Sequence, residues 1–377
     1  MAETPLAVLL PAVGALSESF LRRHVVDLSP GRVVVVADFE LPHWRANCPS
    51  LILDQKSGLL RRVDARLRAR LGLPQDRVPR RHRVAVRNFL KEHQVRVILA
   101  EYLDYSVKWL PLAQEMGIAF FTHGHGIDVS ARLRESYWRK RYLELNGSSG
   151  VITMSQVSKR RLASLGIDSS KIHIIPYGVD VPNKPPHRPA SLPVRCIAVG
   201  RMVAKKAPLL TLEAFRRAQI RFNNVRLDFV GSGPLLDSAT EFVQKHDLSE
   251  VITLHGNQPP DVVHDLMRCA DIFLQHSITD PLTGDEEGLP VAILEAMSHA
   301  LPVIATQHAG IPEAIENGES GFLVPEGDVG GMALRIAELA QSDEVRARLG
   351  SRGWETARSN FSWERERRDL LQLFQLG

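Results

Sequence analysis

Short apolar runs that alternate with longer helical patterns constrain the fold of this chain more than any other feature. Each run predicts a strand, and the alternation predicts parallel sheets with helices on both faces. The runs form two series. The first comprises Ala7–Leu10, Val33–Ala37, Val95–Ala100, Ile118–Phe121, Val151–Thr153 and Ile172–Ile175, and the second comprises Arg195–Val199, Arg226–Val230, Val251–Leu254, Ile272–Leu274, Pro302–Ala305 and Gly321–Leu323.

A proline-rich segment, VPNKPPHRPASLP at 181–193, separates the two series. Its proline density excludes both a helix and a central strand, so residues 182–193 are predicted to link two domains. The predicted fold is α/β, with two doubly wound Rossmann-like domains, at 1–181 and 194–360, that face each other across a cleft. Residues 361–377 carry apolar side chains at helical spacing and predict a final helix that can pack back on the N-terminal domain.

Length and composition are those of an ordinary two-domain enzyme. The 377 residues are 44% hydrophobic and 24% charged, and no apolar run approaches the roughly 20 residues that span a bilayer. The three cysteines lie far apart in the sequence, which indicates neither a disulfide framework nor a cysteine zinc site. A reducing cytoplasm is therefore the expected location.

Positive charge is concentrated in the first half of the chain. Through Asp180 there are 27 Lys and Arg against 17 Asp and Glu, and the remainder has 20 against 26. Much of the excess lies in Leu59–Leu71 and in the run from Arg77 to Lys91. A solvated basic helix is the simplest interpretation, and the alternative is contact with an anionic membrane surface or an acidic acceptor.

Two glutamates eight residues apart, Glu287 and Glu295, flank a Gly-Leu-Pro turn. Pro290 suits the first position of a helix, so a helix is predicted to begin near it. If all eight steps were helical, the two glutamates would lie roughly 12 Å apart along the axis. The helix start favours an anion, so the segment could hold a sugar nucleotide. An amphipathic helix with two solvated glutamates is the alternative.

Two further loops of the second domain could bind phosphate. Arg201 and Lys206 follow a predicted strand and could neutralise a diphosphate, although loop cations are usually solvated. Gly231 and Gly233 form a strand-to-helix turn whose amides could approach a phosphate, although any tight turn uses the same residues.

In the first domain, the loop THGHGIDVS holds His123, His125 and Asp128 close together in sequence. The ligand count is too short to predict a metal site. Isolated loop histidines are more often structural, whereas the glycines between these two favour a loop that borders the cleft. Ser17 and Glu18 follow the first strand, where Ser17 either caps the next helix or also borders the cleft.

Several blocks in the right order resemble the retaining glycosyltransferases of family 4, which have the GT-B fold. VGRMVAKKAP resembles the family segment G-R-x-x-x-x-K-G, and DFVGSGP resembles its strand-to-glycine turn. TLHGNQPP is similar to the nucleotide-base strand, and EGLPVAILEAM is similar to the E-x7-E signature. VGALSESF resembles the N-terminal loop of relatives that build exopolysaccharides of the colanic acid and amylovoran type. One departure is Ala207, where the family usually has glycine.

The resemblance implies a role for each matching residue. Arg201 and Lys206 would bind the diphosphate, Glu287 the sugar hydroxyls and Glu295 the ribose, and the register H-G-x-D selects His125 over His123 as the residue near the transferred sugar. Together, His125, Arg201, Lys206 and Glu287 form the predicted catalytic set. The other predicted donor-binding residues are Gly14, Gly231, Gly233, His255, Gly256, Gly288, Leu289, Pro290 and Val291, and the acceptor-side residues are Ser17, Glu18 and Asp128.

The implied reaction is transfer of a sugar from a nucleoside diphosphate donor to an acceptor hydroxyl with retention of configuration. No cofactor or metal is expected, nor is a nucleic-acid partner. The acceptor is expected to be a glycan or lipid-linked saccharide of cell-surface polysaccharide biosynthesis, or else a small molecule. An epimerase or phosphorylase on the same fold is an alternative, and a basic nucleic-acid- or membrane-binding module is another. Lys206→Ala is expected to reduce turnover with little loss of fold.

Overall fold

A seven-stranded parallel sheet forms the centre of the first unit. In the computed structural model, which describes residues 6–15, 18–54, 78–186 and 192–376, these strands run in the order β3-β2-β1-β4-β5-β6-β7. The long apolar run of the first strand, LAVLLPAV, is buried along nearly its whole length because parallel sheets are covered on both faces. The strands are β1 (Leu6–Val13), β2 (Val33–Glu40), β3 (Ser50–Ile52), β4 (Val97–Glu101), β5 (Ala119–His123), β6 (Gly150–Thr153) and β7 (Ile172–Ile174).

Helices connect these strands. The second of them buries His82, Val86 and Leu90 and leaves its charged side chains on the other face. The fourth ends at Gly117, whose φ of 65° is the left-handed conformation that glycine adopts readily. The helices are α1 (Ser19–Val26), α2 (Arg80–Glu92), α3 (Leu103–Ser106), α4 (Leu110–Met116), α5 (Ser136–Tyr142) and α6 (Gln156–Leu165).

A six-stranded parallel sheet forms the centre of the second unit, in the order β10-β9-β8-β11-β12-β13. Its strands are β8 (Val194–Val199), β9 (Val225–Val230), β10 (Ile252–Gly256), β11 (Ile272–Gln275), β12 (Val303–Thr306) and β13 (Gly321–Val324). The helices that follow are α7 (Pro208–Arg221), α8 (Leu236–Lys245), α9 (Pro260–Cys269), α10 (Val291–Ser298), α11 (Val329–Gln341), α12 (Asp343–Asn360) and α13 (Trp363–Phe374).

The chain divides into these two units at Ile175. Unit 1 contains Met1–Met154, Ser158–Ile175 and Leu370–Gly377, and unit 2 contains Ser155–Val157 and Pro176–Asp369. The last residues of α13 therefore group with the first unit, where the Phe374 ring lies 4.8 Å from that of Phe121.

The start of the predicted linker packs along the end of α12. The indole nitrogen of Trp354 donates a hydrogen bond to the Pro182 carbonyl at 3.1 Å, and Arg358 donates one to the Asn183 carbonyl at 3.2 Å. Residues 187–191 of the predicted linker lie outside the described part of the chain.

Each predicted apolar run forms a strand, and the two parallel sheets confirm the predicted α/β fold with two doubly wound units. Among the strands of the described residues, only β3 was not predicted from the sequence. No helix in the described ranges has the length and apolar character to cross a membrane.

Candidate functional site

The glycine turn after β9 packs directly against the turn after β8. A Cβ atom on Gly231 would lie 1.9 Å from the Gly200 carbonyl oxygen, and one on Gly233 would lie 2.5 Å from that of Met202. The Met202 amide donates a hydrogen bond to the Ser232 carbonyl at 2.9 Å, and the Gly231 amide donates one to Gly256 at 2.8 Å. The turns after β8, β9 and β10 therefore form one layer at the carboxyl edge of the sheet, where open α/β sheets bind ligands.

Lys206 ends a short 3-10 turn, and Ala207 then connects that turn to α7. Ala207 has φ 40° and ψ 54°, a left-handed conformation that glycine adopts without strain. Alanine thus adopts a positive φ at the position where the family usually has glycine. This conformation is compatible with an ion pair between the Lys206 Nζ and the Glu287 Oε2 at 3.0 Å.

Lys206 and Glu287 each shift the pKa of the other. Burial alone would raise the pKa of Glu287, but the charges of Lys206 and Lys205 outweigh burial and hold it at about 2. Burial lowers the pKa of Lys206, and the carboxylate of Glu287 partly opposes that effect. Arg201 is exposed and forms no ion pair with any described residue. At neutral pH this region therefore combines one ionised carboxylate with nearby cations.

Lys205, which was not among the predicted site residues, anchors the loop before Glu287. Its Nζ lies 3.1 Å from the Asp285 Oδ1, 3.0 Å from the Glu286 carbonyl oxygen and 3.6 Å from the Glu287 Oε1. The side chain is buried. The pair of adjacent lysines in AKKAP was the only hint in the sequence that Lys205 belongs to the site. The partners of both lysines lie about 80 residues away, so they cannot be inferred from spacing.

His308 holds the backbone of Glu287 and was also missed. Its Nε2 accepts the Glu287 amide hydrogen at 3.2 Å, and its Nδ1 lies 2.6 Å from the Glu326 Oε1. The Gly310 amide donates to the Gly288 carbonyl at 3.0 Å. The block QHAGIPE thus supports the turn that carries Glu287.

The helix predicted to begin near Pro290 is present, but the path between the two glutamates is not fully helical. α10 begins at Val291, and Pro290 has extended backbone angles, so the steps from Glu287 to Pro290 are not helical. The roughly 12 Å estimate therefore does not apply. The turn before α10 is formed by Gly288, Leu289 and Pro290, all of which are buried, whereas Glu295 lies half-buried in α10.

Glu287 keeps one buried acceptor for a ligand. Its side chain is 9% exposed, and its Oε1 accepts no hydrogen bond from any described residue. A buried carboxylate oxygen without a hydrogen bond is costly, and a ligand hydroxyl would satisfy it. The arrangement can therefore bind an anion through cations and a hydroxyl through Glu287.

The predicted nucleotide-base strand carries a second polar pair at the same edge. The His255 Nε2 lies 2.7 Å from the Asp228 Oδ1. Gly256 has φ 63°, and a Cβ atom there would contact nothing within 4 Å. His255 and Gly256 thus lie beside the Gly231 turn.

Predicted residues of the first unit form a separate group. Gly14 has φ 90° and packs on the Leu41 carbonyl oxygen, which a Cβ atom would approach to 2.1 Å. Glu18 accepts a hydrogen bond from the Tyr102 hydroxyl at 2.7 Å. The Tyr102 ring lies 4.4 Å from that of His125. Ser17 and the basic segment Leu59–Leu71 lie outside the described residues.

Asp128 is buried and fixes two backbone segments. Its Oδ1 accepts the His125 amide hydrogen at 2.8 Å, and its Oδ2 accepts that of Leu103 at 2.9 Å. Burial raises its pKa. Both carboxyl oxygens are therefore used by the loop, which supports a structural contribution from Asp128.

Two family models cover most of the chain. The model described as Glycosyltransferase Family 4 matches residues 32–183, and that described as Glycosyl transferases group 1 matches residues 184–356.

Curated relatives and solved structures agree with these matches. The chain is 34% identical over 256 residues to the putative colanic acid biosynthesis glycosyltransferase WcaL of Salmonella typhimurium. This match covers 67% of this chain and 63% of WcaL. It is 31% identical to the amylovoran biosynthesis glycosyltransferase AmsK of Erwinia amylovora, over 58% of this chain and 54% of AmsK. The chain thus spans less than two thirds of the length of these relatives. HepE from Anabaena, solved in complex with UDP, superposes with a TM-score of 0.77 at 17% identity and covers 98% of this chain and 99% of HepE.

Proposed function

We propose that this chain, a member of the family 4 glycosyltransferases with the GT-B fold, moves a sugar from a nucleoside diphosphate donor to an acceptor hydroxyl. The observation that carries the proposal is the Lys206–Glu287 pair beside Arg201 at the carboxyl edge of the second sheet. A diphosphate gains charge as the sugar–phosphate bond breaks, and positioned cations stabilise that charge. Glu287 supplies the acceptor that a sugar hydroxyl needs.

We propose distinct roles for the two cations. Arg201 offers a planar fork that suits two phosphate oxygens, whereas Lys206 offers a point charge. Because Lys206 is already paired with Glu287, donor binding adds phosphate to an existing ion pair. Glu295 is assigned to the ribose, and His255 and Gly256 to the base, on the resemblance alone.

Transfer is proposed to proceed with retention of configuration. The leaving diphosphate departs from the face that the acceptor attacks, and one of its oxygens takes the acceptor proton. Arg201 and Lys206 stabilise the departing charge, and neither residue needs to form a covalent bond to the sugar. His125 is assigned to the transferred sugar by its H-G-x-D register, and no step of this mechanism uses a metal or cofactor.

The acceptor is proposed to be a glycan or lipid-linked saccharide of cell-surface polysaccharide biosynthesis, because WcaL and AmsK are named for such pathways. An anionic membrane surface is a proposed partner of α2, where Arg80, Arg81 and Lys91 are exposed. Arg83 and Arg87 both pair with Glu115, which reduces the charge available to such a surface. Cytoplasmic location stays a prediction.

A donor screen tests the proposal. Thermal unfolding would be measured with UDP, GDP, ADP and dTDP sugars, since a ligand that binds the native state raises the unfolding temperature. The stabilising donor, labelled in its sugar, would then be incubated with polyprenyl-linked glycans. Label in the acceptor supports transfer, a free epimer indicates an epimerase, and labelled sugar phosphate indicates a phosphorylase.

Two variants test whether the donor binds at the Lys206–Glu287 pair. Glu287→Gln should weaken donor stabilisation and transfer, because an amide is a poorer acceptor than a carboxylate and leaves Lys206 unpaired. Arg352→Met removes a cation from an exposed pair with Glu355 on α12 and should change neither. Equal effects of both variants would contradict the assignment of the donor site.

A further inference from the structure

A carboxylate surrounded by histidines lies inside the first unit, and none of the roles above uses it. Glu101 ends β4 and is fully buried. Its Oε1 lies 2.7 Å from the His24 Nδ1, and its Oε2 lies 2.9 Å from the His125 Nε2. The His123 Nδ1 lies 3.6 Å from the same Oε2. Glu101 therefore joins α1 and the loop after β5 through one side chain.

The carboxylate is ionised in spite of its burial. Burial would raise the pKa of Glu101, but the charge of His24 and the hydrogen bonds from His125 and His24 lower it well below its ordinary value. Burial lowers the pKa of His123, so that ring is neutral at pH 7. An isolated buried carboxylate would be very costly. The hydrogen bonds to His24 and His125 therefore compensate the buried carboxylate of Glu101.

The distances favour hydrogen bonds over a metal ion. His24, Glu101 and His123 each offer a ligand atom, and these atoms lie within 4.8 Å of one another. Zinc bonds of about 2.0–2.1 Å would separate neighbouring ligands of a tetrahedron by about 3.3 Å. The separations of 2.7 and 2.9 Å at Glu101 are instead those of charge-assisted hydrogen bonds.

We propose that Glu101 is a positioning residue that fixes the tautomer and orientation of His125, with His24 as the partner that holds the second carboxylate oxygen. This inference rests on the proposed function, in which His125 contacts the transferred sugar. With Nε2–H directed at Glu101, the neutral imidazole carries its proton on Nε2, and Nδ1 has the character of a hydrogen-bond acceptor. A hydrogen-bonded carboxylate commonly fixes the imidazole tautomer in this way.

The surroundings of His125 restrict the ring further. The Phe20 ring lies 4.8 Å from the imidazole, and the Tyr102 ring lies 4.4 Å from it. The His125 amide is held by Asp128 at 2.8 Å. Backbone, ring faces and one ring nitrogen are thus all constrained, so loss of the Glu101 charge acts mainly on the proton of the imidazole.

The test combines nitrogen NMR with kinetics on the full chain. Protein labelled with [15N]histidine would be compared as wild type, Glu101→Gln and His125→Gln, the last of which identifies the His125 signals. The wild type should show a proton on Nε2 of His125. Glu101→Gln keeps the size of the side chain but can accept from only one of the two histidines, so the pattern should change. Its kcat/KM should fall about 10- to 100-fold, as for other residues that orient a functional imidazole.

A matched control is Asp54→Asn, because Asp54 lies 3.7 Å from the His82 Nε2 elsewhere in the same unit. It should leave both the His125 signals and kcat/KM unchanged. Protonation of Nδ1 rather than Nε2 in the wild type would overturn the proposal, even if Glu101→Gln did not fold. Stoichiometric zinc, together with loss of activity on chelation, would overturn it in favour of a metal site.

The two proposals fail in different ways. If Glu101→Gln changes the His125 spectrum but leaves kcat/KM unchanged, Glu101 positions the ring and the sugar-contact role of His125 is wrong. If transfer is absent in every assay while the spectra behave as expected, the proposed function is wrong and the hydrogen-bond network stands.

Discussion

Removal of the Lys206 ammonium should leave the buried Glu287 carboxylate without its nearest counter-charge. The pKa of Glu287 falls from an ordinary 4.5 to about 2 in the fold, a shift that corresponds to about 3 kcal/mol. Lys206 makes the largest contribution to this lowering, and Lys205 at 3.6 Å supplies less. Lys206→Met should therefore destabilise the protein by about 2–3 kcal/mol at pH 7. This is somewhat less than the cost of leaving a buried carboxylate with no counter-charge, because Lys205 remains near Glu287. This changes the sequence-based expectation that Lys206→Ala would cost little fold stability.

A double-mutant cycle measures the interaction. Urea unfolding at pH 7 would be followed for the wild type, Lys206→Met, Glu287→Gln and the double variant. The double variant should recover about 1–2 kcal/mol relative to the sum of the single variants, because no uncompensated charge remains. The same cycle at Arg352 and Glu355, an exposed pair, should show no measurable coupling.

Unfolding measured at acid pH tests independently whether ionised Glu287 stabilises the fold. Because the pKa of Glu287 is lower in the folded state, its contribution is complete above pH 4.5 and is lost as the pH falls toward 2. Lys206→Met should reduce that acid-dependent loss. Additive single variants together with an unchanged acid profile would refute the view that Lys206 and Glu287 act as one unit.

Three further changes test other parts of the structure. Gly231→Ala should cost at least about 3 kcal/mol in unfolding free energy, because φ is 138° there and the Cβ would meet the Gly200 carbonyl oxygen at 1.9 Å. Gly256→Ala, where φ is 63° and a Cβ would contact nothing within 4 Å, should cost about 1 kcal/mol. Similar costs for the two variants would contradict the close packing of the Gly231 turn. Burial lowers the pKa of His276 from 6.5 to about 4, so stability should fall by up to about 3 kcal/mol between pH 6.5 and 4. That dependence should be absent in His276→Gln. His308→Ala should lower kcat/KM roughly tenfold through the unsatisfied Glu287 amide, and an unchanged value would remove His308 from the site.

The predicted strands were found because buried parallel strands are almost continuously apolar. The run VVVVADFE of β2 is buried over its first six residues, and an apolar run of this kind is typical of a strand in a parallel sheet. β3 was missed because Ser50–Ile52 is a three-residue edge strand that is partly exposed. Neither its length nor its composition distinguishes it from a loop.

The candidate site could be predicted only where a motif is local. Arg201, Lys206 and the Gly231 turn were found because each follows an apolar run at a fixed distance. Lys205 and His308 were missed because their partners are set by the fold. His308 contacts Glu287 across 21 residues, and the sequence contains no periodic signal for such a contact.

Glycine turns and unsatisfied polar atoms carry different kinds of information about function. Gly231 is required by backbone packing against Gly200 whether or not a phosphate binds, so the turn G-S-G-P alone cannot separate a binding loop from a scaffold. The buried Glu287 Oε1 is different, because it accepts no hydrogen bond from the described residues and only the Lys205 Nζ, at 3.6 Å, faces it as an ion-pair partner. Packing would favour an apolar residue there, because an unsatisfied buried carboxylate oxygen costs stability. Glu287 is therefore stronger evidence for a hydroxyl-bearing ligand than the glycines are for a phosphate.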